Sequence, residues 1–265
     1  MTDGPLTARS FRLRTGLLLG LAAGAVVAVL GVPPIPQDPA YHDFADRRAL
    51  LGIPNALDVL SNLGFLVAGV LGLLATRRAA LVQEWERAAY GVLFLGVALT
   101  SAGSAYYHLA PANDTLFWDR LPMTLVFMSL FAVTIGERVS GRAGEVLLGP
   151  LVAAGAGSVL YWHLGEQAGT GDLRPYALVQ FLPILAIPLM LLLFPARYTR
   201  TGDVGVVIAA YGVAKGLEAL DAQIFGLGGI VSGHTLKHLC AAAALCWLAR
   251  MVRLRRPIAA PPAPV

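Results

Sequence analysis

Apolar residues gather along the chain into eight runs, at about 12–31, 57–76, 88–107, 121–137, 144–162, 176–194, 204–225 and 234–252, separated by short polar stretches. Each run approaches the roughly 20 residues that an α-helix needs to cross a bilayer core. The pattern therefore predicts eight transmembrane helices. They take up most of the 265 residues, which leaves no room for a separate soluble domain. Polar groups inside the runs must be buried against other helices. The expected fold class is all-α, a polytopic membrane helical bundle. The first run follows Arg9, Arg12 and Arg14 and ends in GVPPIPQDP rather than a small-residue cleavage motif, so it reads as a retained helix and not a signal peptide. The closing PIAAPPAPV has the composition of a disordered end and carries no assigned function.

Composition agrees with the pattern. Hydrophobic residues other than Gly make up 57% of the chain and charged residues 14%, whereas ordinary soluble chains are roughly 45–50% apolar even with Gly counted. The net charge of +4 is distributed topologically and does not point to nucleic acid. Arg9, Arg12 and Arg14 precede the first run; Arg77, Arg78 and Arg87 follow the second; Arg138 and Arg142 the fourth; Arg197 and Arg200 the sixth; and Arg250, Arg253, Arg255 and Arg256 close the eighth. The intervening loops hold only Arg47, Arg48, Arg120 and Arg174. By the positive-inside rule both termini are expected in the cytoplasm, with the loops after runs one, three, five and seven facing outward. An odd number of spans would break this alternation. The high Ala, Gly, Val and Arg content is that of a GC-rich bacterial genome, which points to a bacterial cell membrane. Cys240 and Cys246 lie six apart in one run, on different helix faces, and read as apolar fillers rather than a disulfide.

Ionisable groups inside such runs cost at least about 2.5–3.5 kcal/mol each to insert, which makes them functional candidates by default. TSAGSAYYHLAP puts Ser104 and His108 four apart, on one helical face. FWDRLPM opens the fourth run with Asp119, AKGLEALDAQIF places Lys215, Glu218 and Asp221 at spacings of three, and the eighth run begins with His234 and His238. In the expected topology the third run ends, and the fourth and eighth begin, at one outer level. His108, Asp119 and His234 then share a depth, with the trio of the seventh run close by. Three histidines from two helices are the protein ligands of a catalytic zinc site, which leaves a fourth position for water. The bland alternative is a polar pair at a helix mouth satisfied by headgroups or water. No Glu follows the first His of the H-x3-H pair, so a base must come from elsewhere, and Asp119 is the available carboxylate.

At these residues the chain resembles the alkaline ceramidase family of integral membrane hydrolases, within the superfamily that includes adiponectin-receptor-like proteins. Ser104 and His108 match the family's S-x3-H, Asp119 in DRLPM its D-x-L-P-M element, His234 and His238 its H-x3-H, and LSNL at 60–63 the S-N element of its first core helix. The likeness covers about residues 41–256. It implies a seven-helix core, so the chain divides into a segment 1–32 holding a cytoplasmic N-terminus and one extra N-terminal transmembrane helix, a core 33–256, and the tail 257–265. It implies a zinc-dependent amidohydrolase acting on a membrane lipid with a long acyl chain, with His108, His234 and His238 holding the ion. Ser104 and Asp119 would serve the attacking water and the forming oxyanion.

The family also resembles a calcium binder through acidic residues before its first core helix. Here Asp43, Asp46 and Asn55 leave two readings open, a calcium site or a solvated loop, because Arg47 and Arg48 add opposing charge. Lys215 with Glu218 or Asp221 reads either as a buried ion pair orienting the metal ligands or as a purely structural pair. Ser61 and Asn62 are expected to bridge helices by hydrogen bonds in support of the site. His42 and His163, and the aromatic residues Tyr106, Tyr107, Trp118, Tyr161 and Trp162, are expected at the membrane interface. Two rival functions stand beside the hydrolase. One is a receptor-like or haemolysin-like member of the superfamily with structural zinc. The other is a transporter using Lys215, Glu218 and Asp221 as an ion path.

Overall fold

The computed structural model describes residues 7–258, and its regular structure among them is helical apart from two isolated bridges. Ten α-helices follow one another: α1 (Ala8–Leu30), α2 (Ala56–Ser61), α3 (Leu63–Arg78), α4 (Glu84–Leu109), α5 (Asn113–Arg138), α6 (Gly141–Gln167), α7 (Arg174–Leu193), α8 (Gly202–Ala219), α9 (Asp221–Gly226) and α10 (Gly233–Leu254). With α2 and α3 running on as one span, seven helices among the described residues are long and apolar enough to cross a membrane. The chain is an all-α polytopic bundle, as its hydropathy pattern predicts.

The seventh run departs from the expectation of one helix over 204–225. It breaks at Leu220 into α8 and α9, and α8, with Asp203, Lys215 and Glu218 in 18 residues, is not among the seven apolar spans. A tertiary contact sits at the break. Asp221 turns its carboxylate to the backbone N–H groups of His234 and Ala45, 2.7 and 2.9 Å away, and so ties the start of α10 to the preceding loops.

Consecutive helices α3 to α7 pack side by side, and α10 closes on α3 and α8. By contrast α7 and α8, although adjacent in the chain, barely touch, and Gln180 Nε2 donating to Tyr211 Oη at 2.6 Å bridges the gap. Helix α1 packs chiefly on α7 and has no buried residue. Small residues bring the other helices close. A Cβ on Gly103 would collide with the Trp118 carbonyl, so α4 and α5 meet there backbone to backbone. Gly103→Ala should therefore cost about 1–3 kcal/mol, the usual penalty of overpacking, read as a lower unfolding midpoint in detergent.

We call the end where α4 closes and α5 and α10 begin the upper end. The segment 31–55 is folded across it. Leu173 N–H donates to Ile35 O, Gln37 N–H to Glu166, and Arg48 to the carbonyls of Gly229 and Ile230. Arg48 also grips both oxygens of Asp46 at 2.8 and 2.7 Å, which holds that carboxyl below its usual range. At the lower end Arg255, only 1% exposed, donates to Glu137 at 2.6 Å and to Tyr90 at 2.9 Å, with its guanidinium over the Tyr198 ring. The sequence counts Arg255 as a topological charge; the structure buries it as a clasp. The tail assigned to 257–265 starts in contact, since Pro257 bridges Tyr198 and Ile258 N–H donates to Arg197 O. Its residues 259–265, and residues 1–6 of the N-terminal segment, lie outside the described part.

Candidate metal centre

His108 lies in the last turn of α4, and His234 and His238 occupy the first turns of α10, one turn apart on one face. The local sequence fixes where α10 begins: Ser232 caps it, its hydroxyl accepting from Thr235 N–H at 3.1 Å. All three histidines are buried, at 1%, 4% and 2% exposure. One ring nitrogen from each lies within 4.8 Å of the other two, and Nε2 of His108 is 3.2 Å from Nε2 of His234. Among the described residues this is the group of His, Cys, Asp or Glu side chains that can hold a metal ion.

Two features test the fit. Ser61 has one hydroxyl proton, which goes to the Asp58 carbonyl at 3.0 Å because that oxygen only accepts. Its oxygen must then accept from His238 Nδ1–H at 2.8 Å, which leaves Nε2 of His238 bare for a ligand. Nε2 of His108 and His234, facing at 3.2 Å, would oppose two lone pairs unless a cation or proton lies between them. Tetrahedral zinc with Zn–N bonds of about 2.0–2.1 Å separates its nitrogens by about 3.4 Å, so this pair is already at that spacing. The donor set fits a borderline-soft divalent ion. Lys237 complicates it: its ammonium lies 2.9 Å from His234 Nε2 and 3.0 Å from Glu218, which also pairs with Lys215. A metal taking the His234 lone pair leaves Lys237 to Glu218. Ser61→Ala should lower metal affinity about 10–100-fold, the usual loss when a partner orienting a ligating imidazole is removed, as measured by chelator competition.

Beside the histidines lies a cavity of about 320 Å³. Ser104, Asp119, Lys215, Glu218, Lys237 and His238 line its upper part, and the Ser104 hydroxyl neighbours the Asp119 carboxylate. Deeper along the same helices the walls are apolar, with Leu130, Ile187, Val207 and Leu245. From Arg120 to Leu130 along α5 is about 15 Å at 1.5 Å per residue. Above, Phe44 packs its ring 4.6 Å from those of both His108 and His234 and seals the cluster from the loop side.

The structure thus brings together His108, His234, His238, Ser104 and Asp119, with Ser61 behind His238 and the Lys215–Glu218 pair reaching His234 through Lys237. Other expectations are corrected. Asn62 turns inward to its own helix, donating to Asp58 O at 2.7 Å, and does not reach the histidines. Asp221 holds the backbone of His234 instead of pairing with Lys215. The residues considered for calcium do not form a ligand set: Asp43 pairs with Arg47, Asp46 with Arg48, and Asn55 donates to His108 O at 2.8 Å. The two arginines that follow the aspartates in sequence neutralise them. Tyr106, Trp118 and Tyr161 are exposed as interface residues should be, but Tyr107 and Trp162 are buried at 1% and 0%. His42 bridges Tyr107 and Asn113, and His163 neighbours Gln167 and Asp114, so neither joins the centre.

Sequence reasoning missed Phe44, Asp58 and Arg120. Asp58, fully buried, accepts from Thr235 Oγ1 at 2.5 Å and anchors α10 to α2. Arg120 counts as a loop charge in the sequence but lies inside α5, 6% exposed. For Asp58, an ionisable residue within an apolar run was the available signal; Arg120, just ahead of the fourth run, and Phe44 offered none. Neither a family model nor a curated protein matches the chain.

Proposed function

We propose that the chain is a zinc-dependent membrane hydrolase that cleaves the amide bond of an N-acyl lipid, ceramide-like in joining a polar amide head to a long acyl tail. The observation that carries this reading is a cluster of three buried imidazoles, one of which, His238, lines with Ser104 and Asp119 the polar end of a cavity whose other end is apolar. A tail lodged along Leu130, Ile187 and Leu245 would bring the amide to the histidines.

His108, His234 and His238 would hold zinc, which when bound would supply Lewis acidity and lower the pKa of water toward neutrality. Asp119 accepts the proton of the attacking water and delivers it to the leaving nitrogen as the carbon–nitrogen bond breaks. Ser104 donates a hydrogen bond to the carbonyl oxygen as negative charge develops on it. Phe44 and the folded 31–55 segment keep bulk water from the histidines, which strengthens each of these interactions. We place the site at the outer face of a bacterial cell membrane, with cytoplasmic termini, from the arginine alternation. An ion path is less well supported, since Lys215, Glu218 and Lys237 pair with one another and the cavity below them is apolar.

Metal analysis of the purified protein, joined to fatty-acid release from a panel of N-acyl lipids, tests the reading. The expected result is about one zinc per chain and release that stops on chelation and returns with zinc. Zinc bound without cleavage of any lipid would instead favour a receptor-like role with structural metal.

A further inference from the structure

Arg120 has no part in the chemistry above, yet it is among the most costly side chains in the bundle. It lines the cavity beside Asp119 and is 6% exposed. Trp162, Tyr176 and Tyr41 surround its guanidinium, with ring centroids 4.5, 5.0 and 5.4 Å from the central carbon. Nη2 donates to Gln37 Oε1 at 2.7 Å, whereas Nη1 is buried with no hydrogen-bond partner. Among the described residues, no carboxylate lies within ion-pairing distance of it. Buried guanidinium groups are normally paired, because the cost of removing the charge from water is otherwise uncompensated. The aromatic faces lower that cost but accept no N–H bond along the guanidinium plane.

The charges of the cavity wall point the same way. Three basic side chains, Arg120, Lys215 and Lys237, face two acidic ones, Asp119 and Glu218, and Glu218 is already shared by both lysines. Of the three cations, Arg120 is the one with no carboxylate at ion-pairing distance among the described residues.

We propose that Arg120 forms a carboxylate-binding subsite, so that the preferred substrate is an N-acyl amino acid rather than a lipid with a neutral head. The assignment rests on the amidase reading for the position of the scissile bond. Asp119 and Arg120 are consecutive on α5 and their side chains diverge, as neighbouring helical positions do, yet both line the same cavity. In an N-acyl amino acid the carboxylate lies two bonds from the amide nitrogen. A nitrogen served by Asp119 puts the carboxylate in the part of the cavity whose wall also holds Arg120. The single free Nη1 suits a planar monoanion better than a phosphate, which calls for more donors.

The test measures binding and fatty-acid release in parallel, on the full chain in nanodiscs at pH 7. The ligands are N-palmitoylglycine, N-palmitoylethanolamine and the phosphate ester of the latter, which share one acyl chain. The glycine conjugate should bind at least about tenfold more tightly than the neutral amide, as a charge-assisted hydrogen bond implies. Arg120→Gln should bring the two to parity by weakening only the glycine conjugate, and Arg120→Lys should restore part of the difference. Equal binding of glycine and ethanolamine conjugates to the unaltered protein overturns the proposal without any variant that must fold. So do preference for the phosphate ester, binding of none of the three, or a preference that survives Arg120→Gln. Selective binding without release of palmitate upholds the subsite and removes the amidase reading; release without selectivity does the reverse.

Discussion

His108→Ala is expected to abolish stoichiometric metal binding and turnover together. His234 and His238 sit one turn apart on α10 and can grip an ion from one side only; the third ligand comes from α4, and its Nε2 lies 3.2 Å from that of His234. Zinc sites of this kind rely on three protein ligands, and Lys237, 2.9 Å from His234 Nε2, stands ready to occupy the vacated face. The substitution should leave α4 in place, because the Asn55 bond at that turn goes to the His108 backbone carbonyl and not to its ring. Elemental analysis of purified wild type and variant checks the prediction. The wild type should carry about one zinc per chain and lose activity to a chelator reversibly; the variant should carry none and not respond to added zinc. A variant that retains one zinc would show that the ligand set lies elsewhere.

Asp119→Asn should lower turnover about 10²–10⁴-fold, the range of a positioned acid–base group, while zinc content stays at the wild-type level. Asparagine matches aspartate in shape, so the Ser104 neighbour and the cavity wall persist, but an amide neither accepts the proton of the attacking water nor returns it to the leaving nitrogen. The combination distinguishes this change from His108→Ala, in which metal and activity vanish together. Measured kcat and KM should divide accordingly, with the loss in kcat, since Asp119 is not needed to hold the acyl chain. Unimpaired turnover in Asp119→Asn would mean that another group carries the proton.

How much of this was legible beforehand depends on the range of the signal. The spacing of Ser104 and His108, and of His234 and His238, is a helical period, so the sequence places each pair on one face. The runs likewise give seven apolar spans by length among the described residues, whereas the seventh run yields no such span and breaks at Leu220, where Asp221 bonds to the backbone of His234 and Ala45 across the loops. Charges were misread where burial decides their role. Arg120 and Arg255 look like two more basic residues among 20 Lys and Arg, yet the bundle encloses both. Tyr107 and Trp162 differ from the exposed Tyr106 and Tyr161 by one position, and only the rotation of α4 and α6 against their neighbours separates them.

The sequence by itself determined the helical class, the apolar spans and the residue types able to hold metal, because these follow from local composition and a 3.6-residue period. The tertiary structure decided the rest. It brought α4 and α10 together over 126 positions so that His108 faces His234, folded 31–55 over them, paired Lys237 with Glu218, and left Arg120 unpaired in the cavity wall. Those outcomes depend on which faces pack and which polar groups find partners across the bundle, and desolvation sets their cost only once distant segments have met.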